Sequence, residues 1–149
     1  MKELPYGKLR AGGFGDVGMN VGLTSGVLAT LRREAAAAAP REACGLLLGE
    51  GDRIHRATVA ENVHPAPETH FEIDPAALIA AHRAARAGGP QLLGYWHSHP
   101  NGLARPSATD AAQSSGDGRI WAIVAGAEIT LWQDTETGFT ALPYAIQAR

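Results

Sequence analysis

The sequence contains only one cysteine, Cys44, so it offers no internal disulfide. Cys44 stands directly before an apolar run, which favours a buried side chain over a reactive thiol. No stretch reaches the length of about 18 apolar residues that a membrane-spanning helix needs, and the N-terminus lacks the apolar core of a signal peptide. Neither sign of charge dominates, since 13 basic residues stand against 15 acidic ones. We therefore expect a cytoplasmic protein that binds neither membranes nor nucleic acid.

A chain of 149 residues is long enough to bury one core, and we predict a single domain over residues 21–149. Residues 1–20 carry four glycines between Gly12 and Gly18 and show little hydrophobic periodicity. That composition predicts a flexible N-terminal arm, which ends in a short edge strand near Met19–Leu23. The sequence leaves the oligomeric state open.

Helix and strand signals alternate along the rest of the chain. A helix is predicted from Thr24 or Ser25 to about residue 39, where Pro40 ends it. Asp74-Pro75 is typical of an N-cap followed by proline, so a second helix should begin there and end before residue 88. Apolar runs bounded by turn residues predict strands over 45–49, 53–61, 91–96, 120–125, 128–133 and 139–146. This order of elements predicts a mixed α/β fold.

The stretch from Gly94 to Asp110 combines a strand end, a turn and a helix start. His97 and His99 lie two residues apart at the end of the strand, so their imidazoles point to the same face of the sheet. A Pro-Asn-Gly turn follows, and a helix from Ser107 to about residue 115 places Asp110 in its first turn. Two imidazoles and one carboxylate are a standard ligand set for catalytic zinc, which leaves the fourth position to water.

Each of these residues also has a purely structural interpretation. Ser107 and Asp110 form a variant of the capping box at the helix start, and a lone histidine is more often a surface or core residue than a ligand. The joint spacing H-x-H-x7-S-x2-D favours a metal site, because capping does not require the upstream histidines, and both roles can hold together. His64 and His70 have no partner at ligand spacing and could instead line a substrate groove.

With Glu42 added, these residues resemble the signature of the JAMM metallopeptidases, also called MPN+ or JAB-domain proteins. The run Glu42-Ala43-Cys44-Gly45-Leu46-Leu47-Leu48-Gly49 is similar to the Glu-x-x-Gly-Leu-Leu-x-Gly context of that family, and His97-Ser98-His99-Pro100, Ser107 and Asp110 complete the pattern. The spacing of Asn62, of Phe71-Glu72-Ile73-Asp74-Pro75 and of Gly94 is similar to that in its small prokaryotic members. The resemblance covers about residues 21–146. It implies a curved, mostly antiparallel β-sheet flanked by helices, of the cytidine-deaminase-like type.

The resemblance also implies a mechanism of amide hydrolysis. Zinc held by His97, His99 and Asp110 would bring the pKa of its bound water to about 7. Glu42 would take the proton of that water and pass it to the leaving amine. Ser107 would donate a hydrogen bond to the developing oxyanion. Ser98 points to the other face of the strand and is given a structural role only.

In the family that this chain resembles, the bond cleaved follows the extended C-terminal tail of ubiquitin or a ubiquitin-like protein, and a prokaryotic branch trims small sulfur-carrier proteins. The resemblance therefore implies a zinc metallopeptidase or isopeptidase whose substrate is the tail of a ubiquitin-like or sulfur-carrier protein. Asn101 and Arg105 are expected to shape the groove beside the zinc. Two alternatives stay open: a metal hydrolase of another peptide or small amide, and a non-enzymatic scaffold with the same fold.

Overall fold

A computed structural model describes residues 20–148 of the chain. This part contains, in order, β1 (Val21–Thr24), α1 (Ser25–Ala38), β2 (Cys44–Glu50), β3 (Arg53–Ala60), α2 (Pro75–Arg86), β4 (Gln91–Ser98), α3 (Ala108–Gln113), β5 (Ile120–Ala125), β6 (Glu128–Thr135), β7 (Gly138–Leu142) and β8 (Tyr144–Gln147). The mixed α/β class is confirmed. The flexible arm predicted over residues 1–20 lies almost wholly outside the described residues and stays a prediction, as does the single domain over 21–149. None of the described helices is both long and apolar enough to cross a bilayer.

A side chain caps the N-terminus of each of the three described helices, as the sequence predicted. The hydroxyl of Thr24 accepts a hydrogen bond from the backbone N–H of Val27 at 3.2 Å, and Asp74 accepts one from Ala76 at 3.1 Å. Ser107 caps α3. Each cap satisfies an N–H group that has no partner within its own helix. The third helix ends at residue 113, two residues short of the predicted end.

The described strands form one sheet in the order β7-β6-β5-β4-β2-β3-β1-β8. Four neighbouring pairs are antiparallel (β2–β3, β2–β4, β5–β6 and β6–β7), and three are parallel (β1–β3, β1–β8 and β4–β5). Strands β2 and β4 lie side by side at the centre. The three leucines Leu46, Leu47 and Leu48 of β2 are all buried, as expected for a strand that is covered on both faces.

Two of the strand predictions are wrong. Strand β1 is not an edge strand, because it lies between β3 and β8 and all four of its residues are buried. Residues 139–146 do not form one strand but belong to β7 and β8, which occupy opposite ends of the strand order. Pro143 separates them, since proline has no N–H to donate to a ladder. Because a single residue joins the two strands, the sheet curls until its two edges approach each other at this corner.

Helices cover both faces of the sheet. Helix α1 packs on one face through Val27, Leu28 and Leu31, and α2 packs on the other through Ala77, Leu78 and Ala81. Side chains alternate along β4, so Trp96 enters the core under α1 while His97 points to the side of α2. The end of this central strand therefore presents histidines on the α2 side of the sheet.

Candidate metal centre

Three side chains converge at the end of β4. The Nε2 atoms of His97 and His99 are 3.0 Å apart, and Asp110 approaches them from α3. Its Oδ1 lies 3.1 Å from His97 Nε2, and its Oδ2 lies 3.1 Å from His99 Nε2. The three residues are 0%, 5% and 2% exposed, in that order. The structure thus brings together the three residues that the sequence predicted as metal ligands.

The turn after β4 fixes the ring of His99. Gly102 adopts a φ of 83°, which favours glycine, and its N–H donates to the carbonyl of His99 at 3.0 Å. The side chain of Asn101 accepts a hydrogen bond from the N–H of Leu103 at 3.0 Å. This turn places the carbonyl of Leu103 2.7 Å from His99 Nδ1. Because a carbonyl can only accept, His99 Nδ1 carries the proton, and in the neutral ring Nε2 is left with a lone pair.

The donor set at this cluster fits a metal ion. His99 Nε2 faces the carboxylate of Asp110 and the Nε2 of His97. When both rings are neutral with the lone pair on Nε2, a cation between the three groups would satisfy all of these acceptors. A tetrahedral zinc ion with bonds of about 2.0–2.2 Å holds its ligand atoms about 3.3 Å apart. The two Nε2 atoms, 3.0 Å apart, and the distance of 3.1 Å from each Nε2 to one of the two Asp110 oxygens are close to that value. His97, His99 and Asp110 therefore form a group that could hold a metal ion.

The buried environment sets the protonation of the cluster. Burial would raise the pKa of Asp110, but the hydrogen bonds from His97 and His99 outweigh it and hold the pKa well below its usual range. Burial lowers the pKa of His97 against the opposing effect of Asp110. Burial also acts to lower the pKa of His99, yet its hydrogen bonds to Asp110 and to the carbonyl of Leu103 raise it overall. An ionised Asp110 and a neutral His97 are the forms that bind metals.

Aromatic contacts hold the ring of His97. Phe71 stacks on it with ring centroids 4.3 Å apart and an angle of 18° between the planes. Trp121 meets it edge to face at 5.7 Å. His97 Nδ1 is buried and has no hydrogen-bond partner among residues 20–148. Aromatic packing therefore holds the Nδ1 side of this imidazole, while its Nε2 faces Asp110.

Glu42 lies beside the cluster, just before β2. In the β2–β4 ladder Cys44 pairs with His97, so continuing the register sets Glu42 across from His99. The residue is 7% exposed, and its Oε1 is buried without a hydrogen-bond partner in the described part of the chain. Burial raises the pKa of its carboxyl to about 7, which His99 opposes and Asp110 reinforces. A carboxyl with this pKa can both accept and release a proton near neutral pH.

Ser107 forms the predicted capping box with Asp110. Its Oγ accepts a hydrogen bond from the N–H of Asp110 at 3.0 Å, and Asp110 Oδ2 accepts one from the N–H of Ser107 at 2.9 Å. The same Oδ2 faces His99, so the cap and the cluster share an atom. Ser107 is exposed, and its hydroxyl hydrogen remains available for donation. The capping role is confirmed, and the role as oxyanion donor stays a prediction.

The other residues considered in the sequence lie outside the ligand group. His64 and His70 stack on each other with ring centroids 4.5 Å apart, and Arg105 is exposed on the same loop as Asn101. Their proposed places along a substrate groove stay predictions. Cys44 is buried, and burial raises the pKa of its thiol to about 12, so the expected inert side chain is confirmed.

Two polar residues contact the Glu42 segment without having been assigned to the site from the sequence. The Oγ of Ser98 accepts a hydrogen bond from the N–H of Ala43 at 2.8 Å, and the side-chain amide of Asn62 donates to the carbonyl of Glu42 at 3.0 Å. These partners are 55 and 20 positions apart in the chain. Such contacts follow from strand pairing and loop packing, which no local sequence pattern encodes.

Comparison with known proteins agrees with this geometry. The sequence model of the family described as prokaryotic homologs of the JAB domain matches residues 24–135. A desampylase of Haloferax volcanii is 31% identical over 124 residues, which are 81% of this chain and 89% of that protein. A probable TtuB-protein conjugate cleaving protease of Thermus thermophilus is 38% identical over 89 residues, 60% of each chain. A solution structure of a protein from Desulfitobacterium hafniense has a TM-score of 0.76 at 29% identity and covers 87% of this chain and 94% of its own.

Proposed function

The chain belongs to the prokaryotic homologs of the JAB domain, and from this premise we propose that it is a zinc-dependent isopeptidase. Its substrate is an amide bond after the C-terminal tail of a ubiquitin-like or sulfur-carrier protein. The name of the Thermus relative, a protease that cleaves a protein conjugate, supports this substrate class. The observation that carries the proposal is the buried cluster of His97, His99 and Asp110, beside the carboxyl of Glu42.

The residues that would hold zinc are His97 and His99 through Nε2, and Asp110 through its carboxylate. The fit of the three separations to a tetrahedral ion supports this assignment. A bound zinc ion supplies Lewis-acid chemistry, because it lowers the pKa of water and polarises a carbonyl. The turn after β4 holds His99 through the carbonyl of Leu103, and the capping box holds Asp110 through the N–H of Ser107.

Glu42 is the general base and then the general acid. Its carboxylate accepts a proton from the attacking water, and the protonated carboxyl returns that proton to the nitrogen of the leaving amine. A pKa of about 7 suits both steps. The buried Oε1 has no competing hydrogen bond from residues 20–148, so no protein donor has to be displaced before it accepts the proton.

Ser107 donates its hydroxyl hydrogen to the oxygen of the scissile carbonyl as negative charge develops there. Its Oγ is already engaged as an acceptor for the N–H of Asp110, which holds the hydroxyl in place. A tail ending in Gly-Gly suits the site, because two residues that lack side chains can pass through a narrow groove, and an extended tail can pair with a strand edge. The cytoplasmic location expected from the sequence stays a prediction.

The test uses zinc-loaded protein and defined protein substrates. A ubiquitin-like protein ending in Gly-Gly is joined through its terminal carboxyl to the side-chain amine of a lysine in a second protein. A matched substrate replaces both glycines by valine. We expect intact-mass spectrometry to find the free ubiquitin-like protein and the unmodified acceptor, with the Gly-Gly substrate cleaved at least about tenfold faster.

The control variant is Glu42→Gln, loaded with zinc to the same content. Equal cleavage by wild type and Glu42→Gln would contradict the assignment of the base. Cleavage of short unrelated peptides but of no ubiquitin-like conjugate would favour a hydrolase with another substrate. Zinc binding without hydrolysis of any amide would favour a scaffold that keeps the fold alone.

A further inference from the structure

The backbone of Glu42 and Ala43 is held at every polar group. The N–H of Glu42 donates to the carbonyl of Pro67 at 2.7 Å, and its carbonyl accepts from the side-chain amide of Asn62 at 3.0 Å. The N–H of Ala43 donates to the Oγ of Ser98 at 2.8 Å, and its carbonyl accepts from the N–H of Ser98 at 3.0 Å. The buried Oε1 of Glu42, in contrast, has no partner in the described part of the chain. The position of this carboxyl is therefore set through its backbone.

Asn62 makes one of these four hydrogen bonds and also binds the loop that carries Pro67, the partner in another. Its Nδ2 faces the carbonyls of Glu42 and His70, each at 3.0 Å, and that of Pro67 at 3.5 Å. Its Oδ1 accepts from the N–H groups of His64 at 3.1 Å and Glu72 at 3.0 Å. Since carbonyls only accept and N–H groups only donate, one orientation of the amide satisfies all of these contacts.

The loop that Asn62 organises touches the site at two further points. Residues 63–73 include Pro67, whose carbonyl receives the N–H of Glu42, and Phe71, which stacks on His97. An isolated β-bridge between Asn62 and Ile73 closes the base of the loop. The loop contains no helix or strand of its own, so the side chain of Asn62 takes the place of a ladder in fixing its shape.

We propose that Asn62 is the positioning residue for Glu42: its side-chain amide holds the backbone of Glu42 and shapes the loop that holds it from the other side. This inference rests on the proposed role of Glu42 as the general base. Proton transfer depends steeply on placement, and an error of about 1 Å can cost roughly a hundredfold in rate. Asn62 acts through Glu42 and touches no reacting atom.

The first test is the variant Asn62→Asp, which keeps Oδ1 as an acceptor and loses the Nδ2 donor to Glu42. We expect kcat to fall by about 10- to 100-fold, with KM within about threefold and zinc content unchanged. In a Glu42→Gln background the same change should alter kcat by less than about twofold, because the two residues act as one unit. Gln91→Glu makes the same amide-to-carboxylate change at an exposed position at the other end of β4 and should leave kcat unchanged.

The second test does not depend on activity. Amide hydrogen exchange of the zinc-loaded protein, followed by NMR, should show at least about tenfold faster exchange at the N–H of Glu42 in Asn62→Asp, with the N–H groups of β5 unchanged. If Asn62→Asp does not fold, Asn62→Ala serves in both tests, because it also removes the donor without adding a charge.

Protection of the Glu42 N–H equal to that of wild type would overturn the proposal. Independent effects of the substitutions at Asn62 and Glu42 on kcat would overturn it as well. Faster exchange throughout the sheet together with loss of zinc would instead show that Asn62 has a general structural role. If wild type cleaves no substrate but exchange changes selectively at Glu42, the proposed function fails while the positioning by Asn62 stands.

Discussion

Replacing Glu42 by glutamine should change how the stability of the metal-free protein depends on pH. Burial raises the pKa of this carboxyl from 4.5 to about 7 in the folded protein, with His99 lowering it and Asp110 raising it. A difference of about 2.5 between the folded and unfolded pKa values corresponds to about 3 kcal/mol. Because the folded protein binds this proton more tightly, the stabilisation is complete below pH ~4.5 and is lost as the pH rises through about 7. About three quarters of the loss falls between pH 5 and pH 8.

The assay is urea unfolding of wild type and Glu42→Gln after removal of metal by a chelator, at pH values from 5 to 8. Glutamine does not titrate, so the free energy of unfolding of Glu42→Gln should rise relative to wild type by about 2–3 kcal/mol over this range. The histidines and Asp110 titrate in both proteins, and their contributions largely cancel in the difference.

Adding zinc back provides the control for this measurement. A cation next to the carboxylate favours its charged form, so the dependence of the difference on pH should shrink in zinc-loaded protein. A difference between the two metal-free proteins that stays constant to within about 0.5 kcal/mol from pH 5 to pH 8 would refute the reasoning, since Glu42 would then titrate alike in folded and unfolded chains.

Wild type should bind about one zinc ion per chain, and His97→Ala or Asp110→Ala should lose most of it; full zinc content in either variant by elemental analysis would contradict the ligand assignment. Glu42→Gln should keep its zinc while kcat falls by roughly 10²–10⁴, and loss of zinc in this variant would make Glu42 a ligand instead of the base. Ser107→Ala should cost about 0.5–2 kcal/mol of stability and on the order of 10²–10³ in kcat. Ser107→Asp should melt near wild type, because aspartate also caps, yet be the least active of the three proteins, because it cannot donate. Activity retained by Ser107→Asp at full zinc content would leave Ser107 with the capping role alone.

The parts of the site that the sequence predicted are those whose residues lie only a few positions apart in the chain. His97 and His99 share a face because a strand has a period of two, and Ser107 and Asp110 are joined by a capping box three residues long. The start of α2 was predicted from a similarly short signal, the N-cap Asp74 followed by Pro75. Glu42 was found through resemblance to a family and not through spacing, because its place beside His99 depends on the pairing of β2 with β4.

The features that the sequence did not predict depend on contacts between distant segments. The alternating residues around Pro143 are compatible with one strand, and only the curl of the whole sheet assigns them to two opposite edges. The role of Asn62 requires the Glu42 segment and the loop after β3 to meet, and that of Ser98 requires the register of β2 with β4. A polar side chain next to a strand end can hydrogen-bond to several nearby backbone groups, and the order of the strands determines which group it binds.

The joining of β8 to β1 has a consequence for how the protein is made. Val21 pairs with Tyr144, about 120 positions further along the chain, so β1 leaves the ribosome well before the strand with which it pairs. Until β8 has been made, β1 has only its short pairing with β3. Helix α1, which follows β1 directly, then packs against a sheet that still lacks β8. Contacts between such distant positions close late and slow the folding of a domain. The nascent chain therefore passes through a stage with an open strand edge, at which chaperones or proteases can compete with completion of the sheet.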